Sequence, residues 1–271
     1  MKRQWLGMCL LVMAPWWLGG CGQSTDNTTT SDTVVRGYLY AGEPVNDIQL
    51  TASIAIGATD TAGPPVTDAI VRLTRNGVSY LLTSDTARPG YYRYTGSDLP
   101  VTSGDQFTLS VVRASHVVSA STTVPEKPLD ITCSADTLDV SLRAMFGNFK
   151  EVYSDDSVVV SWSGGEEDLY FTLLKNIDAN PVAITTDTLR GFDFMSQPTS
   201  QTRYRVPVRQ LRYTGLYRLL VYRVNQEYAD LYRSRQQDNR TLNEPLTNIK
   251  NGLGVFSAFA ADSVTFCVRL E

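Results

Sequence analysis

The strongest constraint on the fold is a series of short segments in which apolar and polar residues alternate, separated by turn residues. Residues 48–56 alternate in this way, which is typical of a strand that buries one face. Asn76-Gly77 lies between two apolar runs, and this dipeptide supplies the two positive φ angles that a tight hairpin turn needs. About seven such segments fall between residues 34 and 126, and this number predicts a β-sandwich.

A second series of strands starts at about residue 157, after an interdomain segment at 127–156. Trp162 lies on an early strand of this series, where it is expected to fill the core. Leu211 and Tyr217 have the spacing of a tyrosine corner, in which the phenol hydroxyl bonds to nearby backbone. We expect this second β-sandwich to comprise residues 157–271. In these features, about 70 of its residues resemble a fibronectin type III domain; any other β-sandwich with a tryptophan core remains the alternative.

Only one helix is predicted, at about residues 226–237. Tyr228, Leu231 and Tyr232 follow the i, i+3, i+4 spacing of a helix face, and Asn225 is a suitable N-cap. The apolar runs 255–259 and 264–268 predict a final hairpin. The predicted fold class is therefore all-β, with two β-sandwich domains and one short helix.

Composition excludes several classes of protein. Charged residues make up 19% and apolar residues 42% of the 271 residues, as in a globular chain. The formal net charge is −4, and no basic cluster is present, so nucleic acid is an unsuitable partner. After Cys21, no run reaches the ~20 apolar residues that span a bilayer.

The first 20 residues have the pattern of a signal peptide, with Lys2 and Arg3 preceding the apolar stretch 5–18. Leu18-Gly19-Gly20-Cys21 follows and resembles the lipobox of bacterial lipoproteins. This resemblance implies that the Cys21 thiol carries lipid, with several acyl chains such as palmitate for stable anchoring. An ordinary secretory peptide with an incidental cysteine is the alternative.

Residues 21–33 are the lipidated cysteine and a polar segment, which we expect to be a flexible tether. By resemblance to sorting in Gram-negative bacteria, the lack of Asp directly after Cys21 implies the outer membrane. The sequence leaves open whether the chain faces the periplasm or the cell surface.

Two further cysteines, Cys133 and Cys267, follow the tether. In an oxidising compartment they can form a disulfide, which would connect the interdomain region to the C-terminal strand. Two separate buried thiols are the alternative.

Several segments together indicate a family. They are Val35–Leu39, Pro65–Val71, Gly90–Tyr92, Gly104–Leu109, Ser119–Pro125 and Asn248–Phe256. With them the chain resembles uncharacterised outer-membrane lipoproteins of Bacteroidetes type, which are known only as a domain of unknown function. Members often accompany TonB-dependent transporters, which are therefore the partners that the resemblance implies. The first domain also resembles transthyretin-like, Ig-like or carboxypeptidase-regulatory sandwiches, which are usually non-catalytic.

No catalytic, cofactor or metal set is recognisable. His116 is the only histidine, and its position favours a hairpin end over a Ser-His-Asp site. Glu166, Glu167 and Asp168 suit a solvated loop better than glycoside hydrolysis.

A calcium loop is the next candidate for a metal site. Asn176, Asp178, Asn180 and Asp187 have the spacing of calcium ligands, but Pro181 stands where such a loop needs Gly. We therefore expect no metal there.

Two candidate binding surfaces remain. Asn251, Gly252, Leu253 and Gly254 could contact a ligand, because glycine permits close backbone approach; a bulged turn is the alternative. Five tyrosines lie on neighbouring predicted strands, where they suit sugar stacking or a protein partner if exposed, and the core if buried. They are Tyr38, Tyr40, Tyr91, Tyr92 and Tyr94.

These observations favour a membrane-anchored, extracytoplasmic lipoprotein that is a non-enzymatic binding or accessory module. A structural or adhesive surface module and a hydrolase with an unrecognised site are the alternatives.

Overall fold

The computed structural model describes residues 33–54, 62–144, 150–152, 157–184, 194–206, 208, 211–234 and 247–270. Within them the chain is all-β, with seventeen strands and one helix, as the sequence predicts. The signal peptide, Cys21 and nearly all of the tether lie outside the described residues. None of the helices in the described part of the chain is both long enough and apolar enough to cross a membrane.

Seven strands and part of the last strand form the first sandwich. The seven are β1 (Thr33–Tyr40), β2 (Asp47–Ala52), β3 (Ile70–Arg75), β4 (Val78–Ser84), β5 (Tyr91–Arg93), β6 (Gln106–Arg113) and β7 (His116–Thr123). They pair in the order β1-β2-β5-β4-β3-β6-β7. Phe107, Leu50 and Ile48 are fully buried in its core, because alternate residues of each strand face inward. Asn76 and Gly77 have φ of 50° and 80° in the β3–β4 turn, which confirms the predicted hairpin.

The remaining strands belong mainly to the second sandwich. They are β8 (Leu129–Cys133), β9 (Thr137–Val140), β10 (Leu142–Ala144), β11 (Lys150–Val152), β12 (Val159–Ser163), β13 (Leu169–Asn176), β14 (Phe194–Met195), β15 (Arg203–Arg205), β16 (Gly215–Val224) and β17 (Leu253–Leu270). A three-stranded sheet, β15-β12-β8, packs against the sheet that contains β14, β13, β16, β17 and β9. Strands β10 and β11 form a separate pair.

The predicted core features of the second sandwich are confirmed. Trp162 is 6% exposed and lies with its ring 5.6 Å from that of Tyr170. The Tyr217 hydroxyl donates to the Tyr213 carbonyl at 3.0 Å and accepts from the Tyr213 N–H at 3.3 Å. Tyr217 therefore forms the tyrosine corner, with Leu211 buried nearby.

The predicted C-terminal hairpin is wrong, because β17 is one continuous strand of 18 residues. Its first part, up to Phe259, pairs in parallel with β1, and its second part, from Phe259 to Val268, pairs antiparallel with β16. Residues 255–260 are all buried, since the strand is covered on both faces where it passes between the sandwiches. This uninterrupted burial removes the alternation that would have identified a single strand.

The helix α1 (Gln226–Ser234) starts where the sequence predicts. Residues 235–237 of the predicted helix lie outside the described residues. The Asn225 side-chain amide donates to the Thr122 hydroxyl at 3.0 Å and to the Thr123 carbonyl at 2.7 Å, and Thr122 also donates to Glu227 at 2.7 Å. The helix, although it follows β16, is therefore attached to β7 of the first sandwich.

Candidate functional site

The turn after β1 places a carboxylate where the two sandwiches meet. The Glu43 N–H donates to the Tyr40 carbonyl at 3.1 Å, and Gly42 between them has a φ of 80°, as a type II turn requires. The Ala41 N–H donates to the Phe259 carbonyl of β17 at 2.8 Å, which fixes the turn to the shared strand. Glu43 is exposed at the end of this turn.

A cluster of aromatic rings, which we call the aromatic joint, packs beside this turn. Its members come from β1, β13, β16, α1 and β17, and they are Tyr38, Tyr40, Phe171, Tyr222, Tyr228 and Phe259. Tyr40 stacks on Phe259 with centroids 5.2 Å apart, and Phe171 stacks on Tyr222 at 4.7 Å. Aromatic pairs contribute about 0.5–1.5 kcal/mol beyond their buried area, so the cluster holds the sandwiches together.

A small groove, which we call the joint groove, opens on the aromatic joint. Its volume is about 230 Å³. Tyr40, Tyr222 and Phe259 contribute aromatic surface, and Glu43, Asp262 and Ser263 contribute polar groups. The groove thus combines aromatic surface with two carboxylates.

A larger groove, which we call the loop groove, lies on the other side of the same turn. Its volume is about 490 Å³, and it shares Ala41 and Glu43 with the joint groove. Pro44, Pro100 and Tyr94 form part of its wall, with serine and threonine hydroxyls around them. The Tyr94 hydroxyl donates to Asp98 at 2.5 Å, and this bond raises the pKa of Tyr94.

The electrostatics of both grooves are acidic. Among the described residues that line either groove, none is a lysine or an arginine. Burial raises the pKa of Tyr40 well above its usual range, with the Asp47 carboxylate adding to the effect. Burial and then Glu43 raise the pKa of Tyr222. Both phenols are therefore neutral hydrogen-bonding groups at neutral pH.

The outer face of β1 beside the grooves is different, because it carries an arginine of the chain itself. The Arg36 guanidinium donates to Tyr91 at 2.7 Å and to Asp47 at 3.2 Å. It also lies 5.6 Å from the ring centroids of Tyr38 and Tyr91. A cation of the chain thus already contacts these two rings.

The five tyrosines that the sequence indicates as a candidate binding surface lie in different environments. Tyr38 and Tyr40 belong to the aromatic joint, Tyr91 contacts Arg36, and Tyr94 lines the loop groove. Tyr92 is 1% exposed, and its hydroxyl donates to the Val66 carbonyl at 3.1 Å inside the first core. The sequence could not separate these cases, because adjacent strand residues face opposite sides of a sheet.

The predicted binding loop packs against strands of the first sandwich. The Asn251 side-chain amide donates to the Val117 carbonyl at 3.1 Å. A Cβ on Gly254 would lie 1.9 Å from the Val35 carbonyl oxygen, and one on Gly252 would lie 2.8 Å from that of Thr33. Leu253 begins β17. The loop therefore packs against β7 and β1, and its glycines serve close strand packing.

The side chain of Asn248, in the same motif, makes the pair of hydrogen bonds that the backbone of a neighbouring strand would make. Its side-chain amide donates to the Phe256 carbonyl at 2.7 Å and accepts from the Phe256 N–H at 3.0 Å. Lys250 pairs with Ser119 of β7. The distinctive Asn248–Phe256 run thus closes the first sandwich.

Cys133 and Cys267 are free thiols in the structure and form no disulfide. Cys133 lies on β8 opposite Val160, and its Sγ donates to the Ala135 carbonyl at 3.1 Å. Cys267 lies on β17, opposite Leu216. The two therefore belong to strands of different sheets, and Cys133 has a backbone partner.

The remaining polar candidates serve local structure. His116 is exposed at the β6–β7 hairpin end, as expected. Asp168 accepts from the Gly165 N–H at 2.7 Å and pairs with Arg223, while Glu166 and Glu167 are exposed. Among the residues that the structure describes, no three His, Cys, Asp or Glu side chains form a group that could hold a metal ion.

The described residues that have the spacing of calcium ligands form successive turns. The Asn176 side chain accepts from the Asp178 N–H at 3.1 Å, and Asp178 accepts from the N–H groups of Asn180 and Leu216, each at 2.9 Å. These two backbone donors lower the pKa of Asp178. Asp187 lies outside the described residues.

Sequence reasoning missed Glu43, Tyr222, Phe259 and Asp262 as site residues. The Gly42-Glu43 pair is a turn signal that could have drawn attention to Glu43. Asp262 lies between the two runs of the predicted hairpin, where an acidic residue is typical of a turn, and nothing local distinguishes Tyr222 from a core tyrosine. Their proximity depends on β17 passing between the sandwiches.

The chain shows a distant likeness to solved structures. Chicken CNTN1 domains FN1–FN3 are 12% identical, with 88% of this chain and 67% of that chain covered and a TM-score of 0.28. Titin domains A168–A170 are 13% identical, with 72% of this chain covered and a TM-score of 0.21, and the alignment spans 61% of that chain. No curated protein matches the sequence.

A family does match. The family described as "Domain of unknown function (DUF4249)" covers residues 23–265, which is most of the chain and includes both sandwiches. The chain belongs to the DUF4249 family.

Proposed function

We propose that this protein is a lipid-anchored lipoprotein of the outer membrane that acts as a non-enzymatic binding or accessory module. The observation that carries the proposal is the Leu18–Cys21 lipobox at the end of an apolar stretch, followed by a polar tether. The first strand begins at Thr33, the last residue of that tether. A folded body so close to an acylated cysteine would be held at a membrane surface.

The binding part of the proposal is supported by the architecture. Immunoglobulin-like and related sandwiches present loops and grooves on a rigid scaffold, and binding residues are often found there. The joint and loop grooves are the concave surfaces at such a position. The partner we propose is a TonB-dependent outer-membrane transporter, which the family resemblance implies.

The anchor is tested by metabolic labelling with an alkyne fatty acid, followed by membrane fractionation. We expect label on the wild-type chain and in the membrane fraction, and loss of both for Cys21→Ala. Cys133→Ala is the matched control, because it removes a thiol of the folded body and should keep the label. A labelled Cys21→Ala chain would refute the anchor.

The partnership is tested by cross-linking in intact cells and purification of the full chain under detergent. We expect a large β-barrel transporter among the cross-linked proteins. Purification of the chain without any barrel protein, under conditions that retain other envelope complexes, would refute the partnership and leave the anchor standing.

The continuity of β17 favours a second function. One strand serves both sandwiches and the aromatic joint fixes them, so the molecule also suits a structural or adhesive surface module. Loss of cell adhesion or of envelope spacing on gene deletion, with transport unchanged, would favour this alternative.

A further inference from the structure

The joint groove and the loop groove flank the Tyr40–Glu43 turn, and Ala41 and Glu43 line both of them. An elongated ligand that crosses this turn would contact both grooves. The turn is held by hydrogen bonds to Phe259 and, through Gly42, to the Val101 carbonyl at 2.9 Å. The wall that the two grooves share is thus anchored to both the shared strand and the first sandwich.

The carboxylates that line the grooves favour a cationic ligand. Glu43 is exposed. Asp262 accepts from the Ser263 N–H at 2.8 Å and pairs with Lys127 at 3.3 Å, and both side chains of this ion pair are substantially exposed. Such pairs contribute little, so an incoming cation can replace Lys127. In the part of the chain that the structure describes, neither groove is lined by a lysine or an arginine.

The aromatic rings that line the joint groove also favour a cationic ligand. Within the described part of the chain, arginines lie over Tyr38 and Tyr91, while none lies over Tyr40 or Tyr222. Tyr40 and Tyr222 line the joint groove together with Glu43 and Asp262. Aromatic rings and carboxylates in one groove suit a guanidinium or ammonium group, which both attract.

The loop groove suits an extended backbone beside that cation. Pro44, Pro100 and Tyr94 offer apolar surface, and Ser97, Thr102 and Ser103 offer hydroxyl groups. A peptide main chain needs such alternating apolar contact and hydrogen-bonding partners.

We propose that the two grooves bind an extended polypeptide segment of a partner protein through one arginine or lysine. The cationic side chain enters the joint groove against Tyr222, between Glu43 and Asp262, and the main chain follows the loop groove. This inference rests on the proposed binding function and names the surface and the chemistry of the partner.

The test measures binding of a dye-labelled probe peptide, acetyl-Gly-Ser-Arg-Pro-Ser-Gly-amide, to the full chain in detergent by fluorescence anisotropy. Its analogue with citrulline in place of arginine keeps the shape and lacks the charge. We expect the citrulline peptide to bind about fivefold to tenfold more weakly. Equal binding of the two peptides would overturn the proposal.

Variants locate the site. We expect Glu43→Gln and Asp262→Asn each to weaken arginine-peptide binding about threefold to fivefold at low salt, and the loss to shrink at high salt. Glu166→Gln and Glu167→Gln remove exposed carboxylates elsewhere and should leave binding unchanged. Equal effects of the groove variants and these controls would mean a general charge effect and would overturn the proposal.

The ring is tested separately. Tyr222→Phe keeps the aromatic face and should retain binding, whereas Tyr222→Leu should weaken it about threefold, with folding of both checked by circular dichroism. Binding of a neutral oligosaccharide probe that competes with the peptide equally well in the wild type and Glu43→Gln would assign the groove to sugar instead.

The outcomes separate this inference from the proposed function. If Glu43→Gln weakens peptide binding but the variant chain still cross-links to its barrel partner as the wild type does, the grooves are not the partner surface and the accessory function stands. If the wild type binds the peptide and the variants do not, while no barrel partner is found, the grooves stand and the transporter partnership fails.

Discussion

Gly254→Ala tests whether the closing motif of the first sandwich is a packing device. Gly254 has a φ of 108°, and a Cβ there would lie 1.9 Å from the Val35 carbonyl oxygen of β1. A backbone atom cannot rotate away as a side chain can, so the parallel β1–β17 pairing must shift. Gly77→Ala is the matched control, since Gly77 has a φ of 80° and nothing within 4 Å of its added Cβ.

The magnitudes follow from these two environments. An alanine in the left-handed region costs about 1–2 kcal/mol at either position. Overpacking adds about 1–3 kcal/mol at Gly254 alone. We therefore expect a loss of about 2–5 kcal/mol for Gly254→Ala and about 1–2 kcal/mol for Gly77→Ala.

Urea unfolding followed by circular dichroism measures both losses under the same conditions. The difference between the two variants, about 1–3 kcal/mol, isolates the contact with β1. Equal losses would refute the close approach. A Gly254→Ala chain that folds normally but loses a ligand would make the motif a binding loop.

Three further predictions concern the joint and the second sandwich. Phe259→Ala should lower the free energy of unfolding in urea by about 3–5 kcal/mol, because it removes a 2% exposed ring from the aromatic joint. Leu81→Ala, whose side chain is 56% exposed, should change it by less than about 0.5 kcal/mol. Similar losses for the two variants would contradict this packing. Tyr217→Phe should cost about 1 kcal/mol by removing the tyrosine-corner hydroxyl, and an unchanged unfolding midpoint would argue against that bond. Asp178 has a lowered pKa in the folded chain. Its contribution to stability is therefore complete above about pH 3.8, the pKa of the unfolded chain, and disappears as the pH falls through the lower pKa of the folded chain. The free-energy difference between wild type and Asp178→Asn, measured from pH 6 to pH 2, should therefore shrink in acid; a difference independent of pH would contradict the assignment.

The aromatic joint shows how tertiary structure decides a site. Tyr38 and Tyr40 were recognised in the sequence as aromatic residues on one strand, and the structure joins them to Phe171, Tyr222 and Phe259. These five positions span more than two hundred residues of sequence, and no local pattern links them. Only the path of β17 through both sandwiches brings them together.

The sequence by itself determined the features that depend on neighbouring residues. Asn76-Gly77 makes its hairpin because both residues tolerate positive φ. Tyr217, six residues after Leu211, makes its corner because its hydroxyl returns to the backbone of Tyr213, four residues earlier. Alternation of apolar residues was enough to predict an all-β fold of two sandwiches.

Tertiary structure alone decided how the sandwiches are joined and where the grooves lie. Burial on both faces hid β17 as a single strand, since a strand covered on two sides has no polar alternation. Glu43 and Asp262 line one groove although 219 positions separate them in the sequence, because long-range strand pairing, and not local propensity, sets their distance.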